Sequence, residues 1–188
     1  PFHMWAPDTY QGAPTPVTAF LAVASKAAAF ALILRLFTQG LLPALEEWQV
    51  LVAVLAVATM VIGNTVAIVQ SNIKRMLAYS SVGQVGFLLV GVAALGYVED
   101  GAVIPVTLAS DAVMLHLIGY AFANLAAFAT VIAVYNHIGT DELSGYEGLA
   151  KRSPYLSMVM AVALFSLAGL PFFVGFLTKF YLFTAAAE

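Results

Sequence analysis

Apolar residues run along this chain in long blocks, broken by short polar links. The blocks predict helices over about 15–37, 48–69, 76–97, 105–135 and 154–187. The links are "TQGLLPALEE", "QSNIK", "VEDGAV" and "NHIGTDELSGYEGLAKRS", rich in the residues that break helices. Each block is long enough to cross a hydrocarbon core of about 30 Å. The fifth block has about 34 residues, and an unbroken helix of that length would reach about 51 Å. "LAGLPFFVG" (Leu167 to Gly175) offers the interruption, because Pro171 donates no backbone bond and its ring clashes with the preceding turn. A broken transmembrane helix is expected there. Freed backbone at membrane depth is tolerated only against protein or a wet cavity, so the break points to an ion path. A plain proline kink or a re-entrant end is the alternative. Residues 1–14, "PFHMWAPDTYQGAP", suit a helix end and an interfacial loop, with Trp5 and Tyr10 as headgroup-level anchors.

Composition strengthens the membrane reading. Hydrophobic residues make up 62% of 188 positions, charged residues 9%, and the mean hydropathy is +0.96. The expected fold class is therefore all-α, a polytopic membrane helix bundle forming one transmembrane domain over 1–188. A net charge of −3 with no basic stripe gives no basis for a nucleic-acid partner. With no cysteine, the chain supplies no disulfide, thiolate metal site or cysteine-ligated iron–sulfur cluster. The start at Pro1 and the end at Glu188, just after an apolar run, suggest a piece of a longer protein.

Charge placement orients the spans. Lys74, Arg75, Lys151 and Arg152 occupy the links near 70–75 and 137–153, whereas the alternate links carry Glu46, Glu47, Glu99 and Asp100. The positive-inside rule puts the basic links in the cytoplasm.

Against this background a few polar residues stand out. Lys26 is the twelfth residue of a helix of about 23, too deep to snorkel easily. A lysine at that depth costs about 2.5–3.5 kcal/mol on insertion scales. A desolvated ammonium also gives up its proton more readily than one in water. Lys26 is read as a proton-relay residue facing the bundle interior, or else as a structural lysine paired with a carboxylate. Lys179, two turns beyond Pro171, repeats the pattern, with interfacial snorkelling as its alternative. Lys74 and Arg75 open the third helix, where such a pair commonly just sets topology. Ser80, Ser81 and Gln84 come next. Ser80 and Gln84 share a helix face, either to hold a water chain or to bond neighbouring helices. His116 lies deep in the fourth helix, where a histidine relays protons or packs by hydrogen bonding. Three scattered histidines without clustered acids form no metal-site pattern, and no nucleotide loop or nucleophile triad is present.

Three stretches carry a resemblance over essentially the whole chain. "PFHMWAPDTYQGAPTPVTAFLAVASK", "QSNIKRMLAYSSVGQVGFLL" and "SLAGLPFFVGFLTKFYLF" closely resemble, in the expected order, the antiporter-like subunit N family of bacterial proton-pumping NADH:quinone oxidoreductase (respiratory complex I). "IKRMLAYSS" is shared more widely, including with multisubunit cation/proton antiporters. The resemblance implies an antiporter-like inverted-repeat fold, here partial, with the five blocks as the eighth to twelfth helices of about fourteen. It implies that Lys26 is the central lysine of the eighth helix and that Lys179 is the lysine beside the break of the twelfth, on the exit path. Lys74 matches a further family lysine. The family's fifth-helix glutamate and seventh-helix lysine have no counterpart here. Gln84 stands where some members carry histidine, and His116 where an aromatic is common. The implied function is proton translocation through a hydrated chain of buried lysines presented to one interior, without redox chemistry in this chain. NADH, FMN, iron–sulfur clusters and quinone would bind elsewhere in the complex. The implied partners are the other membrane-arm subunits, the lipid bilayer, protons and water, in the bacterial plasma membrane. A subunit of a cation/proton antiporter is the alternative function.

Overall fold

The computed structural model describes residues 2–187; the termini at Pro1 and Glu188 lie outside the described residues. The architecture is an all-α membrane bundle with one small β-hairpin. Helix α1 (Trp5–Gly12) is short. Then α2 (Thr15–Phe20), a π-helical turn (Leu21–Ser25) and α3 (Lys26–Gln39) run on as one span. After a 3₁₀ turn come α4 (Leu45–Ile68) and α5 (Ile73–Ala93), then strands β1 (Gly96–Glu99) and β2 (Ala102–Pro105), and then α6 (Thr107–Ile138). A short α7 (Leu149–Arg152) leads to α8 (Pro154–Ala168) and α9 (Val174–Ala185). Helix α1 folds back to pack along α5.

The fifth apolar block is thus interrupted, as the proline predicts. Helix α8 stops at Gly169, whose φ of 83° is left-handed. Phe172 is also left-handed, at φ 76°, and α9 restarts at Val174.

The third block ends earlier than about Tyr97. Helix α5 stops at Ala93 because Gln49 donates to the carbonyls of Ala93 (2.8 Å) and Gly96 (3.0 Å). Residues 96–105 then pair as a hairpin with Glu99 opposite Ala102. Its two-residue turn is Asp100–Gly101, with φ of 51° and 79°, a turn type that favours this dipeptide.

Polar capping and close approach fix the bundle. Asn72 caps α5 by accepting from the backbone N–H groups of Lys74 (3.0 Å) and Arg75 (3.1 Å). Helices α4 and α5 approach so closely that a Cβ on Gly63 would meet the backbone of Gly83, the small-residue packing that membrane bundles use. The outer face of α4 exposes Val50, Leu51, Val54, Val57 and Val61.

Two apolar clusters form the core. One holds Leu45, Trp48, Leu88, Val92, Val113 and Leu182. The other holds Ala22, Ile73, Leu77, Phe128, Val131 and Leu167. In α5, Ser81 and Gln84 fall between the two clusters, and in α6 His116 does; Tyr120 belongs to the second cluster, and in α9 Thr178 and Lys179 precede Leu182 of the first. The chain therefore carries a polar layer at mid-bundle.

Candidate functional site

Lys26 opens α3 directly after the π-helical turn. Such turns are rare insertions that locally rearrange carbonyls. Its Nζ donates to the Tyr10 hydroxyl (3.0 Å) and to the Ala22 carbonyl (3.2 Å) within that turn. The Tyr120 ring centroid lies 5.9 Å away, within cation–π range, whereas Tyr10 is met at its hydroxyl and not over its ring. Tyr10 is 2% exposed, so it is an interior partner of Lys26 and not a headgroup anchor; α1 tucks it inside. Tyr10, Lys26, Thr59 and Ser81 line a cavity of about 430 Å³.

Lys179 sits on α9 beyond the break and reaches back to it. Its Nζ donates to the carbonyls of Leu167 (2.7 Å) and Ala168 (3.2 Å), which the end of α8 leaves free. The Phe87 ring lies 4.2 Å from the ammonium. Gln84 donates to the same Leu167 carbonyl (2.8 Å), so one oxygen joins Gln84 and Lys179. Gly175 permits this fold-back: a Cβ there would run into the Ser166 carbonyl, and its N–H meets the Ser166 hydroxyl (3.2 Å). Lys179 lines a separate cavity of about 460 Å³ with Asn64, Met76, Ser80 and Gln84. That cavity extends towards the α4–α5 link, along Ala67, Ile68 and Met76.

Lys26 and Lys179 therefore face two cavities that share α5 as a wall, and not one interior. Among the described residues neither makes an ion pair. The carboxylate that would make Lys26 a structural lysine is thus not found among them.

Lys74 differs. It is buried, with Nζ 3.1 Å from Asp141 Oδ2 and 3.2 Å from the Ala13 carbonyl. Backbone bonds Ile73 N–H to Asp141 O (2.8 Å) and Leu143 N–H to Ser71 O (2.8 Å) clamp the 139–146 loop onto the start of α5. Burial beside Asp141 pushes the Tyr146 phenol up to about 12, so it stays neutral there. Arg75 pairs with Asp8 of α1 (2.6 Å). His116 is 2% exposed. Its Nδ1 lies 2.9 Å from the Thr178 hydroxyl, while Nε2 has no partner among the described residues.

Of the residues singled out in the sequence, only Gln84 and Lys179 meet, at the Leu167 carbonyl; Lys26 and His116 have other partners, and Lys74 stands apart at the start of α5. Sequence reasoning missed Tyr10, Tyr120 and Asp141. The deep Tyr120 and the Asp in a basic link were visible signals; nothing in the chain announced the fold-back of Tyr10.

The transmembrane family NADH:quinone oxidoreductase/Mrp antiporter, TM, matches residues 1–188. The chain belongs to that family. It is 50% identical over 188 residues to NADH-quinone oxidoreductase subunit N of Desulforamulus reducens, covering 100% of this chain and 37% of that protein. It is 51% identical over 194 residues to the subunit N of Heliobacterium modesticaldum, covering 100% and 38%. The chain spans little more than a third of the length of these curated relatives. Among solved structures, respiratory complex I from Thermus thermophilus with bound aureothin matches at 35% identity and a TM-score of 0.72, covering 100% of this chain and 38% of that one. The membrane-bound sulfane sulfur reductase, an archaeal respiratory membrane complex, matches at 30% identity and a TM-score of 0.85, covering 100% and 37%. The protein is a multi-pass membrane chain of antiporter-like fold, and its relatives are subunits of multisubunit respiratory complexes.

Proposed function

We propose that this chain is the proton-conducting part of a membrane-arm subunit of an NADH:quinone oxidoreductase in the bacterial plasma membrane. Protons move along the polar layer between Lys26 and Lys179, with Gln84 at the join and His116 packed beside it. Lys74, compensated by Asp141, stands at the cytoplasmic entrance. The chain carries out no redox step; NADH, flavin, iron–sulfur clusters and quinone are assigned to other parts of the complex, and further membrane-arm subunits are its partners.

The observation that carries this reading is the neutral company of both lysines. Lys26 rests on a phenol and a carbonyl, and Lys179 on two carbonyls. Such partners hold an ammonium in place without a fixed counter-charge to trap its proton. A charge arriving in the neighbouring cavity therefore changes the proton's escape energy directly. Amines at membrane depth are costly to bury and by default mark functional sites.

The test is NADH-driven proton uptake by inverted membrane vesicles carrying Lys26→Ala in the full-length subunit, with assembly confirmed. Uptake should fall by about tenfold or more. Parent-level uptake in the assembled variant would make Lys26 a passenger. Sodium uptake in place of proton uptake would move the chain to the cation/proton antiporter reading.

A further inference from the structure

Arg75 stands in the first turn of α5, outside the polar layer, and its guanidinium reaches three side-chain acceptors. Nη1 donates to Asp8 Oδ1 (2.6 Å) and Gln11 Oε1 (3.0 Å), both on α1. Nε donates to Gln70 Oε1 (3.2 Å) in the α4–α5 link. The same turn of α5 holds α1 a second time, because Lys74 Nζ donates to the Ala13 carbonyl just past the end of α1 (3.2 Å). An arginine that only sets topology acts through its charge and has no need of two partners on one neighbouring helix.

Helix α1 spans about two turns, and its faces do different things. Asp8 and Gln11 are three apart, so they share a face, and both are exposed. Tyr10 lies two residues from Asp8, about 200° round the helix. It is 2% exposed, and its hydroxyl accepts from the Lys26 ammonium (3.0 Å). The Thr18 hydroxyl donates to the Tyr10 carbonyl (3.1 Å), which fixes the buried face at its backbone as well. A helix this short, held on its outer face, cannot roll or slide without lifting Tyr10 from Lys26. A guanidinium suits that task, because its planar fork fixes direction as well as distance. The Arg75–Asp8 pair is itself exposed, at 30% and 75% for the two side chains. Such pairs add little stability, so what this one supplies is geometry.

We propose that Arg75, through Asp8 and Gln11, is a positioning residue for Lys26: it sets the roll of α1 and so holds the Tyr10 hydroxyl against the ammonium. This rests on the reading that Lys26 carries protons. Arg75 exchanges no proton itself and acts only through where it places Tyr10.

The experiment measures assembly and NADH-driven proton uptake of the full complex in inverted vesicles. The variants are Arg75→Ala, Tyr10→Phe, the two combined, Asp8→Ala, Asp8→Glu and Lys26→Ala. Arg75→Ala and Tyr10→Phe should each lower uptake by about tenfold. Combined, they should do little more harm than either alone, because both remove the same contact; an arginine with a merely structural role would multiply the two losses. Asp8→Ala should lower uptake by about threefold, and Asp8→Glu, which keeps the carboxylate, should restore at least half of that loss. If Arg75→Ala does not assemble, Asp8→Ala combined with Tyr10→Phe makes the same comparison. Multiplied losses in the combined variant would overturn the proposal. Parent-level uptake in Arg75→Ala or in Tyr10→Phe, with Lys26→Ala still blocked, would overturn it too and leave the lysine reading intact. Asp8→Glu as poor as Asp8→Ala would remove the carboxylate from the latch and the proposal with it. Parent-level uptake in Lys26→Ala would overturn the underlying reading itself.

Discussion

A lysine inside an apolar bundle needs acceptors, and Lys26 and Lys179 take theirs from backbone carbonyls and a phenol. The ammonium is held, yet among the described residues nothing negative pairs with it. Lys26→Arg should therefore pump no better than Lys26→Ala, because a guanidinium keeps its charge in a protein; comparing uptake rates in vesicles checks it, and an arginine variant at parent rate would contradict it. Lys74 shows the other arrangement, an ion pair with Asp141 among mostly buried groups. Asp141→Asn leaves that ammonium without its countercharge, at a cost on the order of 3 kcal/mol. The expected result is faster protease cleavage in the 139–148 loop of the assembled subunit, and an unchanged cleavage rate would show that the backbone clamp alone suffices.

At the scale of elements, the break between α8 and α9 gives Lys179 its acceptors. Gly175→Ala would force a methyl against the Ser166 carbonyl, and overpacking of this kind typically costs about 1–3 kcal/mol. Thermal stability and proton uptake should both fall, whereas Gly12→Ala, with open space around it, should match the parent. Equal behaviour of the two variants would mean that the break does not position Lys179. The break was legible because proline and glycine act locally, through a missing donor and a permitted φ. The hairpin was not read: Asp100–Gly101 was a visible signal, but an apolar run up to Tyr97 masked the first strand as helix, and the Gln49 bonds at the end of α5 come from another span. The π-helical turn before Lys26 left no mark in "LAVAS", since one inserted residue has no composition of its own. Tyr10 was misplaced for a related reason. Periodicity within a short aromatic segment does not reveal that α1 folds back along α5.

Over the whole molecule, the basic links near 70–75 and 137–153 meet each other directly, through an Asn72–Glu142 bridge and the Lys74–Asp141 pair. The link around Leu42 and the hairpin meet at the opposite end. One end thus carries four of the seven basic residues, and the positive-inside rule makes it cytoplasmic. Ser144 is exposed there, and the chain contains no native cysteine. Ser144→Cys should react with an impermeant maleimide in inverted vesicles and not in right-side-out ones; the reverse pattern would turn the molecule over. Between the two ends lies the polar layer, and the proposed function requires its lysines to carry protons. The most direct measurement is NADH-driven proton uptake by assembled complexes bearing Lys26→Ala, Lys179→Ala or, on the exposed short helix α7, Lys151→Ala. Uptake should drop by about tenfold or more in the two core variants and stay at the parent rate for Lys151→Ala. Parent-level uptake in both core variants would contradict the account.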